Sequence, residues 1–311
     1  KHQYSGTLYV AGMGGHFAVV DVNIDPSAES PIQISSLNRL EIGESSTHPT
    51  HDPRIDTNDR NTMFWSTYKK DKSANNQLHV GKSDLKSGKV LTDKLVALPE
   101  EAKWAGANYC GSGQSEKSYI PISMAHAGYI DVFDKKTMDL KERVMFTDFA
   151  PDANYKFAHA VNSPDMKYYY VILNKSTPKT KDSWDTTGEY DLYLLDMAAL
   201  EKGQAKVVKK NTLKGGNAKT SISFRMTYTP DGKYILQSVN DMFFLIDAKT
   251  LEIVAKENRQ AGGNHDALPT ADGKYAVLTL RAPNPAISTE EKIVDGWVQL
   301  YDIEKREVVG E

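Results

Sequence analysis

Short apolar stretches that end in or contain aspartate recur along the whole chain. They are AVVD, HVGKSD, IDVFD, LYLLD, FFLID and VQLYD, and their aspartates are Asp21, Asp84, Asp134, Asp196, Asp247 and Asp302. Successive aspartates are 63, 50, 62, 51 and 55 residues apart. Aspartate at the end of an apolar run, followed by a turn that contains lysine, is typical of a tight hairpin. We therefore predict a pair of antiparallel strands at each copy.

A second motif precedes the aspartate motif within each repeat. The segments 228–240 (YTPDGKYILQSVN), 269–281 (PTADGKYAVLTLR) and 162–174 (NSPDMKYYYVILN) share an aspartate turn, then a lysine, a tyrosine and a strand. Each unit thus holds four short strands in about fifty residues, which is typical of a β-propeller blade. No stretch has a sustained helical period, and residues 197–203 (MAALEKG) suffice for one helical turn.

These repeats predict an all-β fold, a single β-propeller over residues 1–311 built from four-stranded antiparallel blades. Six units are countable, so the ring has six or seven blades. The first unit lacks a first strand, because residues 8–13 (LYVAGM) already take the second position. Approximate unit bounds are 5–45, 48–98, 105–147, 155–213, 221–259 and 264–311.

Charge and composition exclude two classes of function. Lys and Arg number 38 against 41 Asp and Glu, a net charge of -3, so the basic excess of a nucleic-acid binder is missing. The sequence contains no run of about eighteen apolar residues, which is the length that a membrane span requires. The chain begins at Lys1 without an apolar leader, so we expect a mature protein whose signal peptide has been removed. A single cysteine, Cys110, excludes an internal disulfide, and we expect it to be a buried, inert thiol.

Six of the eight histidines are predicted to lie on one face of the propeller, in loops or at the entries to first strands. They are His16, His48, His51, His126, His159 and His265, whereas His2 and His79 fall elsewhere. Imidazoles that converge from several blades would form a transition-metal site. Nearby Asp52, Asp266 and Asn264 would orient the rings. The alternative is a polar docking surface without metal. Arg225 either attracts an anion into the channel or pairs with an aspartate.

Loop lengths favour the same face. The segments 69–76, 176–189 and 282–296 all connect second to third strands and are long for structureless connections. We therefore predict that this face, with its histidines, is the binding face.

Two resemblances suggest a function. The repeat GKYILQSVNDMFFLIDAKTLEIV (232–254) resembles the YVTN-type and cytochrome-d1-like propellers of bacterial periplasms. The His-rich face resembles the propeller of nitrous oxide reductase, and His48 and His51 in HPTHDPR are most like its paired-histidine segment. That likeness implies copper and a periplasmic redox role on a small inorganic substrate. That family also carries a cupredoxin domain, and residues 1–311 are expected to form the propeller alone.

The second hypothesis is a subunit without a cofactor of its own. In this role the chain resembles the propeller subunits of hydrazine synthase and quinohaemoprotein amine dehydrogenase, which implies docking on a multi-haem c-type cytochrome and an inorganic or amine substrate. No C-x-x-C-H motif is present, so we expect no covalently attached haem on this chain. Whether the chain is itself an oxidoreductase or a non-catalytic subunit of one stays open at this point.

Overall fold

The chain folds into six antiparallel sheets arranged as a six-bladed β-propeller. The computed structural model describes residues 3–124, 126–218, 221–258, 263–281 and 296–311. Within these ranges, helix is limited to one α-helical turn, Met197–Leu200, and three short 3-10 turns. The predicted all-β propeller and the count of six are therefore confirmed. No helix in the described ranges is long and apolar enough to cross a membrane.

The strands follow one another in chain order, and those of blades 2–6 run from the channel outward. Blades 1–3 are β1 (Tyr4–Ala11), β2 (His16–Ile24), β3 (Ile32–Glu41); β4 (Thr50–Ile55), β5 (Thr62–Thr67), β6 (Leu78–Asp84), β7 (Val90–Val96); and β8 (Tyr109–Gln114), β9 (Ser118–Ser123), β10 (Tyr129–Asp134), β11 (Leu140–Met145). Blades 4–6 are β12 (Tyr155–Asn162), β13 (Tyr168–Ser176), β14 (Thr186–Asp196), β15 (Val207–Lys214); β16 (Ser223–Tyr228), β17 (Tyr234–Val239), β18 (Met242–Asp247), β19 (Ile253–Asn258); and β20 (Gly263–Pro269), β21 (Tyr275–Arg281), β22 (Trp297–Asp302), β23 (Glu307–Gly310).

The repeated aspartates form the turns for a local reason. Asp247 ends β18, and its carboxylate accepts hydrogen bonds from the backbone N–H groups of Lys249 and Thr250, both at 2.8 Å. Such side-chain bonds fix the turn before the next strand begins. Asp21 is the exception to the prediction. It lies inside β2, which continues to Ile24, and the turn is made instead by Asp25.

The hydrophobic core consists of six clusters, and each lies between two neighbouring blades. The cluster between blades 3 and 4 contains 18 buried residues. The cluster between blades 1 and 2 contains five, and the one between blades 6 and 1 contains three. Burial of apolar area is the main stabilising contribution, so the two interfaces of blade 1 are the weakest in the ring.

Blade 1 has three strands, as the sequence predicts, and its first strand β1 has an unpaired edge among the described residues. β1 takes the position of a second strand, yet none of its eight residues is buried. The corresponding strand β9 of blade 3 is buried at all six positions. Beside the edge lies a cavity of about 250 Å³, lined on one side by Thr7, Leu8 and Tyr9. Among the described residues, the position of an inner strand is therefore open in blade 1.

This open edge predicts uneven hydrogen exchange. The N–H groups of β1 that point toward the channel have no neighbouring strand in the described part of the chain, so we expect them to exchange much faster than those of β9 or β17. Exchange followed by mass spectrometry on the native protein measures this directly. Protection of the residues 5–10 equal to that of β9 would contradict the open edge.

Candidate functional site

A group of side chains from the inner strands, here called the channel cluster, consists of His51, Cys110, His159 and His265. Three of them stand at irregularities of their strands. The pairing register shifts between Thr50 and Asp52, between Tyr109 and Gly111, and between Asn264 and Asp266. His51, Cys110 and His265 are the residues inserted at these shifts. β-Bulges redirect side chains and are common beside functional sites.

Cys110 and His159 form a direct pair. Cys110 Sγ lies 3.0 Å from His159 Nε2, and both residues are buried. The other ring nitrogen of His159, Nδ1, is buried without a hydrogen-bond partner, and so is Nδ1 of His51. Buried polar atoms are normally satisfied, so two unsatisfied imidazole nitrogens in one cluster indicate a place for a ligand.

Phe224 lies among the rings of the cluster. Its ring stacks on that of His265, with centroids 4.7 Å apart, and lies 6.0 Å from that of His159. The guanidinium of Arg281 packs on Phe224, 4.6 Å from its ring centroid. The His51 ring is 5.8 Å from that of His265. The Phe224 ring therefore neighbours two of the imidazoles and has a guanidinium packed on it.

The cluster is electrically neutral in its imidazole and thiol groups at pH 7. Burial, with the positive charges of Arg225 and Arg281, lowers the pKa of His51 to about 3. Burial and the neighbouring His51 lower the pKa of His159 to about 3, and burial lowers that of His265 well below its usual value. Burial also raises the pKa of the Cys110 thiol. Neutral imidazoles are the form that binds metal ions.

Arg225 is the positive centre beside the cluster, and it pairs with aspartates. Its guanidinium contacts Asp52, lies 3.4 Å from Asp266 Oδ2 and donates to the backbone oxygen of His51 at 2.7 Å. Asp52 and Asp266 thus compensate the charge of a buried guanidinium, and their role in orienting imidazoles stays a prediction. Asn264 donates instead to the backbone oxygens of Asp266 and Thr279.

His48 belongs to a second group, here called the peripheral cluster, which consists of His48, His79, Asp93 and Asp71. His79 Nδ1 is 2.8 Å from Asp93, and its Nε2 is 2.8 Å from Asp71. His48 Nε2 is 2.7 Å from the other oxygen of Asp93. His48 and His51 are thus separated, because His48 lies in the loop before β4 whereas His51 lies within it. His79, which was expected to fall elsewhere, contacts His48, with ring centroids 4.0 Å apart.

The peripheral cluster has the tightest arrangement of donor atoms. Donor atoms of His48, His79 and Asp93 lie within 4.8 Å of one another, which is true of no other three such residues in the described ranges. Nevertheless, the carboxylates already satisfy both ring nitrogens of His79. Gly43 leaves room for the His48 ring, because a Cβ there would lie 2.5 Å from His48 Nδ1. The hydrogen bonds of the peripheral cluster form a closed ionic network, which holds the loop that carries His48 to blade 2.

The network predicts a pH dependence of stability. Burial opposes the charged form of His79, but hydrogen bonds to Asp93 and Asp71 outweigh it and raise its pKa above 6.5. The stabilisation is therefore present in full below pH 6.5 and is lost as the pH rises through the higher pKa of the folded state. At pH 6 we expect His79→Gln to lower the free energy of unfolding by about 2 kcal/mol. The difference from wild type should shrink toward pH 9.

Denaturant unfolding between pH 6 and pH 9 measures this difference, with His16→Gln as the control. His16 is half-buried, and it contacts Arg39 at 3.0 Å rather than a carboxylate. A constant difference between wild type and His79→Gln over this range would contradict a protonated His79.

The two remaining predicted histidines join neither cluster. His16 begins β2, and Nδ1 of its ring contacts Arg39. His126 packs against aromatic rings, 5.9 Å from Trp104 and 6.0 Å from Trp184. Of the three long loops, 69–76 contains a 3-10 turn, Lys72–Ala74, and β13 and β14 extend into 176–189. The loop 282–296 lies outside the described residues except for its last position.

Comparisons with known proteins bear on the fold. No protein-family model and no curated protein sequence matches the chain. A chain of Kuenenia stuttgartiensis hydrazine synthase matches with a TM-score of 0.56 and 13% sequence identity, over 96% of this chain and 76% of that chain. At this identity the likeness shows a shared β-propeller fold. The resemblances to YVTN-type propellers and to nitrous oxide reductase stay predictions.

Proposed function

We propose that the protein is a copper-binding β-propeller of a bacterial periplasmic redox system, with copper held by the channel cluster. The observation that carries this proposal is the buried Cys110–His159 pair beside unsatisfied imidazole nitrogens of His51 and His159. Among the six histidines predicted as ligands, the proposal retains His51, His159 and His265 and adds Cys110.

The donor set suits copper in its lower oxidation state. Thiolate and imidazole are ligands that Cu(I) prefers. Loss of the Cys110 proton on binding would pair one negative charge with one monovalent cation. The site would then gain no net charge beside Arg225 and Arg281, whose positive charges already act on His51. A divalent ion would add positive charge there and would be disfavoured.

The residues of the chain would have distinct roles. Cys110 and His159 would supply two donor atoms from adjacent inner strands, and His51 and His265 would close around the ion by rotation of their side chains. Phe224 packs beside the rings of His159 and His265 and would limit the access of water. Copper bound there would supply one-electron chemistry. The peripheral cluster is assigned a structural role, because carboxylates already satisfy both nitrogens of its His79.

The test is a competition titration with Cu(I) and a chelator under anaerobic conditions. We expect one equivalent to bind, and we expect Cys110→Ser and His159→Ala each to weaken binding by at least about tenfold. The matched controls are His48→Gln and His16→Gln, which should bind as wild type does. Circular dichroism shows whether each variant is folded.

Two outcomes would contradict the proposal. Wild-type protein that binds no Cu(I) would remove the metal site altogether. Loss of copper in His48→Gln but not in His159→Ala would place the ion in the peripheral cluster. Metal analysis of protein purified from its native host would show which ion it carries in the cell.

A second candidate function is a propeller subunit without its own cofactor, docked on a c-type cytochrome. The fold shared with a chain of hydrazine synthase favours it. Under this hypothesis the protein should co-purify from its native host with a haem protein in fixed stoichiometry, seen by gel filtration and a Soret band. A copper-free monomer without haem under mild extraction would count against both functions, whereas a copper-containing monomer would support the first alone.

A further inference from the structure

A third group of side chains, here called the aromatic clamp, lies outside the channel and peripheral clusters and consists of Trp104, Trp184 and His126. The Nζ atom of Lys179 lies 4.0 Å from the ring centroid of Trp104 and 4.7 Å from that of Trp184. His126 closes a third side, with its ring about 6 Å from each indole, at 5.9 and 6.0 Å. The ammonium of Lys179 is therefore held against two indole faces, and the His126 ring lies beside both indoles.

The walls of the clamp are fixed by bonds that do not involve Lys179. The indole N–H of Trp104 donates to the backbone oxygen of Glu101 at 2.8 Å, just after the 3-10 turn Glu100–Ala102. The indole N–H of Trp184 donates to the backbone oxygen of Tyr155 at 3.3 Å. Lys156 donates to the backbone oxygen of Trp184 at 2.9 Å. The two indole faces would therefore keep their orientation without the lysine.

Lys179 itself has no comparable anchor. Within the described ranges, its ammonium forms no ion pair with a carboxylate, and the two indole faces are its contacts. It sits at the end of a flexible four-carbon stem in the exposed part of the 176–189 loop. Trp104 is 52% exposed, so solvent reaches the clamp. A cation that enters from solvent can take the place of the lysine.

The indole faces favour a cation, and the ammonium of Lys156 already lies 5.3 Å from the ring centroid of Trp184. Burial and the charge of Lys179 lower the pKa of His126, so its ring adds no positive charge to the clamp at neutral pH. The faces of indole rings carry negative electrostatic potential, and cages of aromatic rings bind quaternary and methylated ammonium groups. We propose that Trp104, Trp184 and His126 form a binding site for small alkylammonium cations, which the side chain of Lys179 occupies in this structure.

Because the side chain of Lys179 occupies the clamp, it competes with any cation that binds from solvent. A ligand must displace the lysine, so the affinity of wild-type protein is reduced by the fraction of molecules in which the clamp is filled. Removal of the lysine side chain should therefore expose the site without a change in its walls. The proposal does not depend on copper in the channel cluster.

The experiment compares choline with its uncharged carbon analogue, 3,3-dimethylbutan-1-ol, at constant ionic strength. Binding to the full chain is followed by tryptophan fluorescence and by titration calorimetry. We expect Lys179→Ala to bind choline saturably and about tenfold more tightly than wild type does, and to discriminate against the alcohol. The control is Lys233→Ala, which removes a cation from the ring of Tyr234 instead, at 5.2 Å, and should match wild type.

Variants of the walls complete the test. Trp104→Ala in the Lys179→Ala background should abolish choline binding, and Trp104→Phe should restore part of it because an aromatic face is kept. Equal affinities of wild type and Lys179→Ala for choline, equal binding of the alcohol, or no saturable binding to Lys179→Ala would overturn the proposal. Copper binding by the same variants is measured in parallel. We expect it to be unchanged, so the test of the aromatic clamp is independent of the test of the channel cluster.

Discussion

The whole structure depends on one constraint, which is that every blade must bury both faces of its sheet against its neighbours. The six core clusters satisfy this constraint, and each joins two adjacent blades. A single four-stranded sheet has no other apolar partner, so the blades are stable only as a ring. The ring in turn forces the inner strands of blades 2–6 to converge on the channel. Histidines and charged residues carried by these strands therefore meet there.

Crowding at the channel explains the chemistry that gathers there. Bulk water does not reach the inner strands to compensate a buried charge. Arg225 is therefore held between two carboxylates, those of Asp52 and Asp266. The same burial keeps His51 and His159 neutral by lowering the pKa of each to about 3. A site with neutral imidazoles, a protonated thiol and compensated arginine arises from the position of these residues rather than from any sequence motif.

The sequence contains enough information for the repeat, the fold class and the incomplete first blade. The Asp turns are local, since the carboxylate of Asp247 bonds to N–H groups two and three residues ahead, and local bonds leave a pattern. The sites were harder to predict. An inserted residue such as His51 has no signature in an alternating pattern, and the pairing of Cys110 with His159 spans 49 residues. The role of His79 in the peripheral cluster was not predicted. His79 is a strand residue, and the sequence does not indicate that the loop with His48 packs on it.

The modest interfaces of blade 1 have a consequence for cooperativity. In a ring where each unit contacts its neighbours alone, stability is close to a sum of interface contributions, and a unit with two small interfaces can open as a separate foldon. Blade 1 is such a unit, with clusters of five and three buried residues at its borders. Trp65 lies in the first of these borders, fully buried, with its indole N–H bonded to Ser83. Opening of this border would therefore expose the Trp65 indole to water while the other five blades stay folded.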